Sequence, residues 1–79
     1  MSSITWRKPI EFRSPTGGKI SIAGPFEALI WLIERWPNRR GLHYISARSA
    51  CRAAIAGRKS PEEAREHFDA AIKEAELKD

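Results

Sequence analysis

Between Ile4 and Arg13 the apolar side chains Ile4, Trp6, Ile10 and Phe12 occupy even positions, while Thr5, Arg7, Pro9, Glu11 and Arg13 fall between them. That two-residue period belongs to a strand with one buried face, and Lys8 is its single exception. Ser14-Pro15-Thr16-Gly17-Gly18 is a run of turn formers, after which Ile20 and Ile22 alternate with Lys19, Ser21 and Ala23. The pattern predicts a β-hairpin. Pro9 has no backbone N–H to give to a ladder, so the first strand must lie at a sheet edge or carry a bulge there.

The period then changes to that of helices. Gly24-Pro25 opens a first helix, with proline in the first turn where its missing N–H is harmless, and Pro37 ends it after Trp36. At 100° per residue Phe26, Leu29, Ile30, Ile33 and Trp36 share an arc of about 120°, widened by Ala28 and Leu32, which predicts the core face. Asn38-Arg39-Arg40-Gly41 is a polar loop. A second helix from about Leu42 to Ala56 is rich in alanine, with Tyr44, Ala47, Cys51, Ala54 and Ile55 on its apolar face, and Gly57 stops it. Ser60-Pro61-Glu62-Glu63 combines a serine cap, proline at the first helical position and glutamate three residues after the cap. It starts a third helix whose apolar stripe is Ala64, Phe68, Ala71 and Ala75, bordered by Ile72. The expected architecture is α+β, in the order ββααα.

With 79 residues the chain has room for one small domain, residues 1–79. Its 42 % hydrophobic and 30 % charged residues match an ordinary globular composition and argue against disorder. The longest apolar run, Ala28 to Ile33, is far short of the roughly 20 residues that cross a bilayer, and Met1 to Arg7 lacks a signal-peptide core. The single Cys51 excludes an internal disulfide and a multi-thiolate metal cage, which points to the reducing cytoplasm. A lone core of this size is worth roughly 3 to 5 kcal/mol, so oligomerisation is the expected extra support.

The order of landmarks resembles the family called domain of unknown function 982, short proteins found mostly in rhizobia and their relatives. The residues that carry the likeness are Trp6-x-x-Pro9-Ile10, Glu27-Ala28-Leu29, Arg35-Trp36-Pro37, Gly41, Tyr44, Ala47, Cys51, Gly57, Ala64-Arg65, Phe68, Ala70 and Ala71. The resemblance spans nearly the whole chain. It implies a stand-alone domain and no assigned activity, and it supplies no catalytic residue.

Charge is uneven: residues 1–59 hold eleven Lys or Arg against three acids, a balance of +8, and residues 60–79 hold three against seven, a balance of −4. Arg48 and Arg52 stand one turn apart on the second helix, and Arg39, Arg40, Arg58 and Lys59 flank its ends. Such a face can contact a polyanion. The alternative, which the absence of any nucleic-acid motif favours, is that Glu62, Glu63, Glu66 and Asp69 of the third helix neutralise some of these arginines. A helix-turn-helix made of the last two helices fits worse, since its groove-entering helix would lead with carboxylates.

Cys51 and His67 would lie at similar height if the last two helices run antiparallel, and a Cys-His pair could then form. An alanine-rich stripe instead suits a cysteine that is simply buried, and nothing marks an orienting residue or an oxyanion hole. Two histidines and one cysteine also lack metal-ligand spacing. Gly17-Gly18 has no lysine-serine or lysine-threonine pair after it and is no phosphate loop. Trp31 falls on the charged side of the first helix. It reads either as an exposed interface anchor or as cover for the core with Arg35 stacked on its ring.

The expected function is a non-enzymatic interaction or regulatory module, homodimeric, without cofactor or metal and away from membranes, with an unidentified protein as a further partner. A nucleic-acid-binding protein using Arg39, Arg40, Arg48 and Arg52 is the alternative, and a thiol enzyme is a distant third. Two surfaces could join the copies. One is the proline-free edge of the second strand, at Ile20 and Ile22, and the other is Trp31.

Overall fold

The computed structural model describes residues 4–37 and 39–77. Strands β1 (Ile10–Arg13) and β2 (Lys19–Ile22) form an antiparallel hairpin, followed by helices α1 (Pro25–Glu34), α2 (Leu42–Ile55) and α3 (Pro61–Glu74). The α+β order ββααα is therefore the observed one. Ile10 pairs with Ile22 and Phe12 with Ile20, so the apolar alternation of both strands falls on one face of the sheet. Asn38, which opens the predicted polar loop, lies outside the described residues.

β1 is shorter than the sequence period suggests. The chain bends at Arg7 and Lys8, the off-pattern position, and pairing begins after Pro9. Trp6 is nevertheless buried, its backbone N–H donating to the Ala23 carbonyl at 2.7 Å. The Arg65 Nε–H donates to the Lys8 carbonyl at 2.8 Å and holds the bend against α3.

Two strands alone are marginal, so the hairpin depends on what covers it. Phe12 is buried and touches three rings, with centroids 5.5 Å from Trp31, 5.9 Å from Trp36 and 5.8 Å from Phe68. Phe68 in turn meets Trp6 and Trp36. Beneath these rings α2 and α3 pack through Ala47, Ala50, Cys51 and Ala54 on one helix and Ala64, Phe68 and Ala71 on the other, all buried. Small side chains let the two backbones approach closely.

The core face of α1 is not the one expected. Ala28 and Leu32 are fully buried, whereas Phe26 is 64 % exposed, Ile30 39 % and Ile33 40 %. The helix also stops at Glu34, so Trp36 enters the core from the loop beyond it. Apolar residues cover a wider arc of α1 than one small core can bury, and the contact of Trp31 with Phe12 selects which part turns inward.

The helix ends explain how the pieces are tied. Ser60 caps α3 as expected: its Oγ accepts the Glu63 N–H at 3.2 Å, and the Glu63 carboxylate reaches back to the hydroxyl. α2 has no capping side chain of its own at Gly41. Its first turn is capped from the far end of α3, where the Glu74 carboxylate accepts the N–H groups of His43 and Tyr44, both at 3.1 Å. A Cβ at position 41 would meet that carboxylate, which would have to shift to make room. α3 closes in a left-handed turn at Glu76 (φ 57°), with the Leu77 N–H donating to Ile72 and the Glu76 N–H to Lys73. That turn buries Leu77, whose carbonyl accepts the Arg13 N–H at 2.8 Å and occupies the outer edge of β1.

Two stability effects follow. Glu76→Gly should raise stability by about 1 kcal/mol, because a non-glycine residue held left-handed is strained by about 1 to 2 kcal/mol. Glu74→Ala should lower it by about 1 to 2 kcal/mol through loss of the α2 cap. Urea unfolding followed by circular dichroism measures both.

Candidate functional site

The bend after α2 places the last of the basic residues. Gly57 adopts φ 80°, the Arg58 N–H donates to the Ala53 carbonyl at 2.8 Å, and the Gly57 N–H donates to Ala54 at 3.1 Å. This glycine-ended turn satisfies the final carbonyls of α2 and folds Arg58 back beside the helix. Arg48, Arg52 and Arg58, with Ser49 and Ile45, line a groove of about 290 Å³ on the outward side of α2. The Arg48 guanidinium stacks over the Tyr44 ring, 5.5 Å from its centroid. Arg39 and Arg40 belong to the loop at the opposite end of α2, so the structure divides the basic set in two.

The carboxylates of α3 do not reach this groove. Glu63 pairs with Lys59 at 3.7 Å and Asp69 with Lys73 at 3.1 Å, while Glu62 accepts the Arg7 backbone N–H at 3.1 Å. Among the described residues, none of Arg48, Arg52 and Arg58 has a carboxylate within ion-pair distance. Among the described residues, the expected pairing of α3 acids with some of the basic residues around α2 is thus made at Lys59 and not at Arg48, Arg52 or Arg58. Glu62, Glu63 and Asp69 are held by a backbone N–H and by lysines instead.

Of the two surfaces considered for self-association, Trp31 takes the second of its two expected roles. Trp31 is half-buried, edge-on to Phe12 with Arg35 stacked 5.3 Å from its ring centroid, so it covers the core. On the α1 wheel Phe26, Ile30 and Ile33 lie between about 100° and 160° round from Trp31. Their stripe therefore faces away from the hairpin, the side at which Trp31 and Arg35 border Ser14, Pro15 and Thr16. Sequence reading placed these three in the core. The excess of apolar residues on α1 over what the core can take was the signal available. In β2, Ile22 is buried and Ile20 half-buried, so only backbone is offered at that edge. The Ser14 N–H donates to Gly18, which makes Phe12 with Ile20 and Ile10 with Ile22 the hydrogen-bonded pairs and turns the N–H groups of Lys19 and Ser21 outward.

Cys51 is completely buried, and burial pushes its thiol from 9.0 up to about 12. His67 lines a separate groove on the outer seam of α2 and α3 with Ser46, Ser49, Ala50 and Lys59, and Cys51 is not among the residues of that wall. The structure does not bring the cysteine and histidine together. Among the described residues no three His, Cys, Asp or Glu side chains cluster as metal ligands, and no helix is long and apolar enough to cross a membrane.

Residues 8–78 match the model of a family described as "Protein of unknown function (DUF982)". An NMR structure of Agrobacterium tumefaciens protein Atu1219 is similar at a TM-score of 0.80 and 30 % identity, over 96 % of this chain and 76 % of that one. No curated protein matches the chain.

The raised thiol pKa has a definite sign. A thiol that holds its proton more tightly when folded adds stability that is complete below pH 9 and is lost as pH rises toward 12. Cys51→Ala should therefore cost about 1 kcal/mol at neutral pH and should flatten part of the alkaline decline in stability. Thiol labelling of the native protein at pH 8 should be slow and should become fast only in denaturant.

Proposed function

The chain belongs to the family described as protein of unknown function DUF982, and within that family we propose that it is a small non-enzymatic interaction module, bacterial and cytoplasmic, acting as a homodimer. The observation that carries this reading is the stripe of Phe26, Ile30 and Ile33 on the outward side of α1. Contiguous exposed apolar side chains in so small a domain mark an interaction surface. The hydroxyl of Tyr44 donates to the Leu32 carbonyl at 2.8 Å and sets the start of α2, with exposed Leu42 and Ile45, beside the end of α1. The burial of Cys51, with its thiol protonated at neutral pH, supports a role without nucleophilic chemistry.

A second copy suits the stripe by symmetry. A two-fold axis running along α1 sets Phe26, Ile30 and Ile33 on their own counterparts, as an isologous interface requires. On the α1 wheel Glu27 and Glu34 border the stripe on the side toward Trp31.

Light scattering at micromolar concentration should give twice the 8.9 kDa chain mass. Ile30→Lys, at an exposed position, should give a folded monomer, while Ser21→Pro, which removes an outward N–H of β2, should remain dimeric. A wild-type mass of 8.9 kDa throughout a dilution series would overturn the dimer. A dimer lost in Ser21→Pro and kept in Ile30→Lys would move the interface to the strand edge.

A further inference from the structure

We propose that the outward face of α2 binds the phosphodiester backbone of a nucleic-acid duplex through Arg48, Arg52 and Arg58, without regard to base sequence. Three guanidinium groups and the Ser49 hydroxyl line one groove, and its lining contains no carboxylate. None of the three arginines is engaged by an acid of the described chain, so their charge is available to an outside anion. The site is also held in shape. Arg48 and Arg52 are one turn apart on a helix capped by Glu74, Arg48 rests on the Tyr44 ring, and the turn at Gly57 fixes the backbone from which Arg58 extends.

The ligand class follows from the extent of the charge. Arg48 and Arg52 stand about 6 Å apart along the axis of α2, and Arg58 follows beyond the turn at Gly57 to line the same groove. Three guanidinium groups spread in this way exceed the needs of a single phosphate group and suit successive phosphates of a backbone. Arginine suits this role because its planar fork gives two parallel hydrogen bonds to one phosphate. No ring in the groove offers a base a stacking platform, which separates it from single-strand sites built on exposed aromatics. Glu62, Glu63, Asp69 and Glu74 of α3 have partners elsewhere, and no carboxylate lines the groove that would receive the phosphates.

Fluorescence anisotropy with a labelled duplex, and with a single strand of the same sequence, tests this across a salt series. The duplex should bind more tightly than the single strand. The slope of log affinity against log salt should fall by about 2 to 3 units in the triple variant Arg48→Ala, Arg52→Ala, Arg58→Ala, with at least about a tenfold loss at low salt. Arg58→Glu alone, outside any helix, should weaken binding in the same direction and guards against misfolding of the triple variant. Lys73→Ala, at an ion-paired position on α3, should bind as the wild type does. Four outcomes would overturn the proposal: unchanged affinity in the triple variant, an equal loss in Lys73→Ala, tighter binding of the single strand, or displacement of the duplex by polyglutamate at equal charge.

Discussion

Everything in this fold turns on the burial of Phe12. A two-stranded hairpin has too little surface of its own to persist, and this one is secured by the rings of Trp31, Trp36 and Phe68 packed around a single side chain from β1. Edge-to-face rings contribute about 0.5 to 1.5 kcal/mol per pair beyond the area they bury, so such a hub is a large share of what a domain this small can muster. The arrangement also dictates orientation. Trp31 can reach Phe12 only if α1 is rotated to bring its charged flank toward the hairpin, and the same rotation carries Phe26, Ile30 and Ile33 out to solvent. The exposed stripe is thus a consequence of how the hairpin is held.

A second dependence runs through α2, which can hardly stand alone. Its outward side mixes polar residues with exposed Leu42 and Ile45, its inward side is mostly alanine, and its N-terminus has no capping side chain. It is placed by its neighbours: the Glu74 carboxylate at its first turn, the Tyr44 hydroxyl on the Leu32 carbonyl, and the close alanine-lined contact with α3. Because α2 is held from outside, its solvent-facing positions are free of structural duty. That is where Arg48 and Arg52 stand.

Much of the fold was legible because local chemistry and tertiary structure agree. The alternation about Ser14 to Gly18, the Pro25 and Pro61 starts, the Ser60 cap and the Gly57 stop all mark features where one residue type suits one backbone geometry. What was not legible depends on choices made between elements. The apolar arc of α1 is compatible with more than one rotation, and only the partner ring of Trp31 decides between them. The Glu74 cap joins residues about 30 positions apart, and no local motif announces it. At Glu76 a non-glycine residue takes the left-handed turn that glycine usually provides, since the gain from burying Leu77 and closing the edge of β1 outweighs the backbone strain.

The charge pattern shows the same limit in a sharper form. Counting acids and bases along the chain suggests that α3 neutralises α2, and proximity of the two helices would support it. Geometry separates them. The acids of the first turn of α3 are occupied by the Arg7 N–H, Ser60 and Lys59, and Glu74 is spent on the start of α2. The three arginines of the groove lie on the outward side of α2, past the seam where the helices meet. Opposite charges on touching helices compensate one another only when their side chains share a face, and here the alanine-lined contact keeps the faces apart. Close packing, which requires small residues along the middle of the seam, leaves Glu74 to bridge the helices only at their end. The tightness of the α2–α3 contact and the openness of the basic face therefore have one cause.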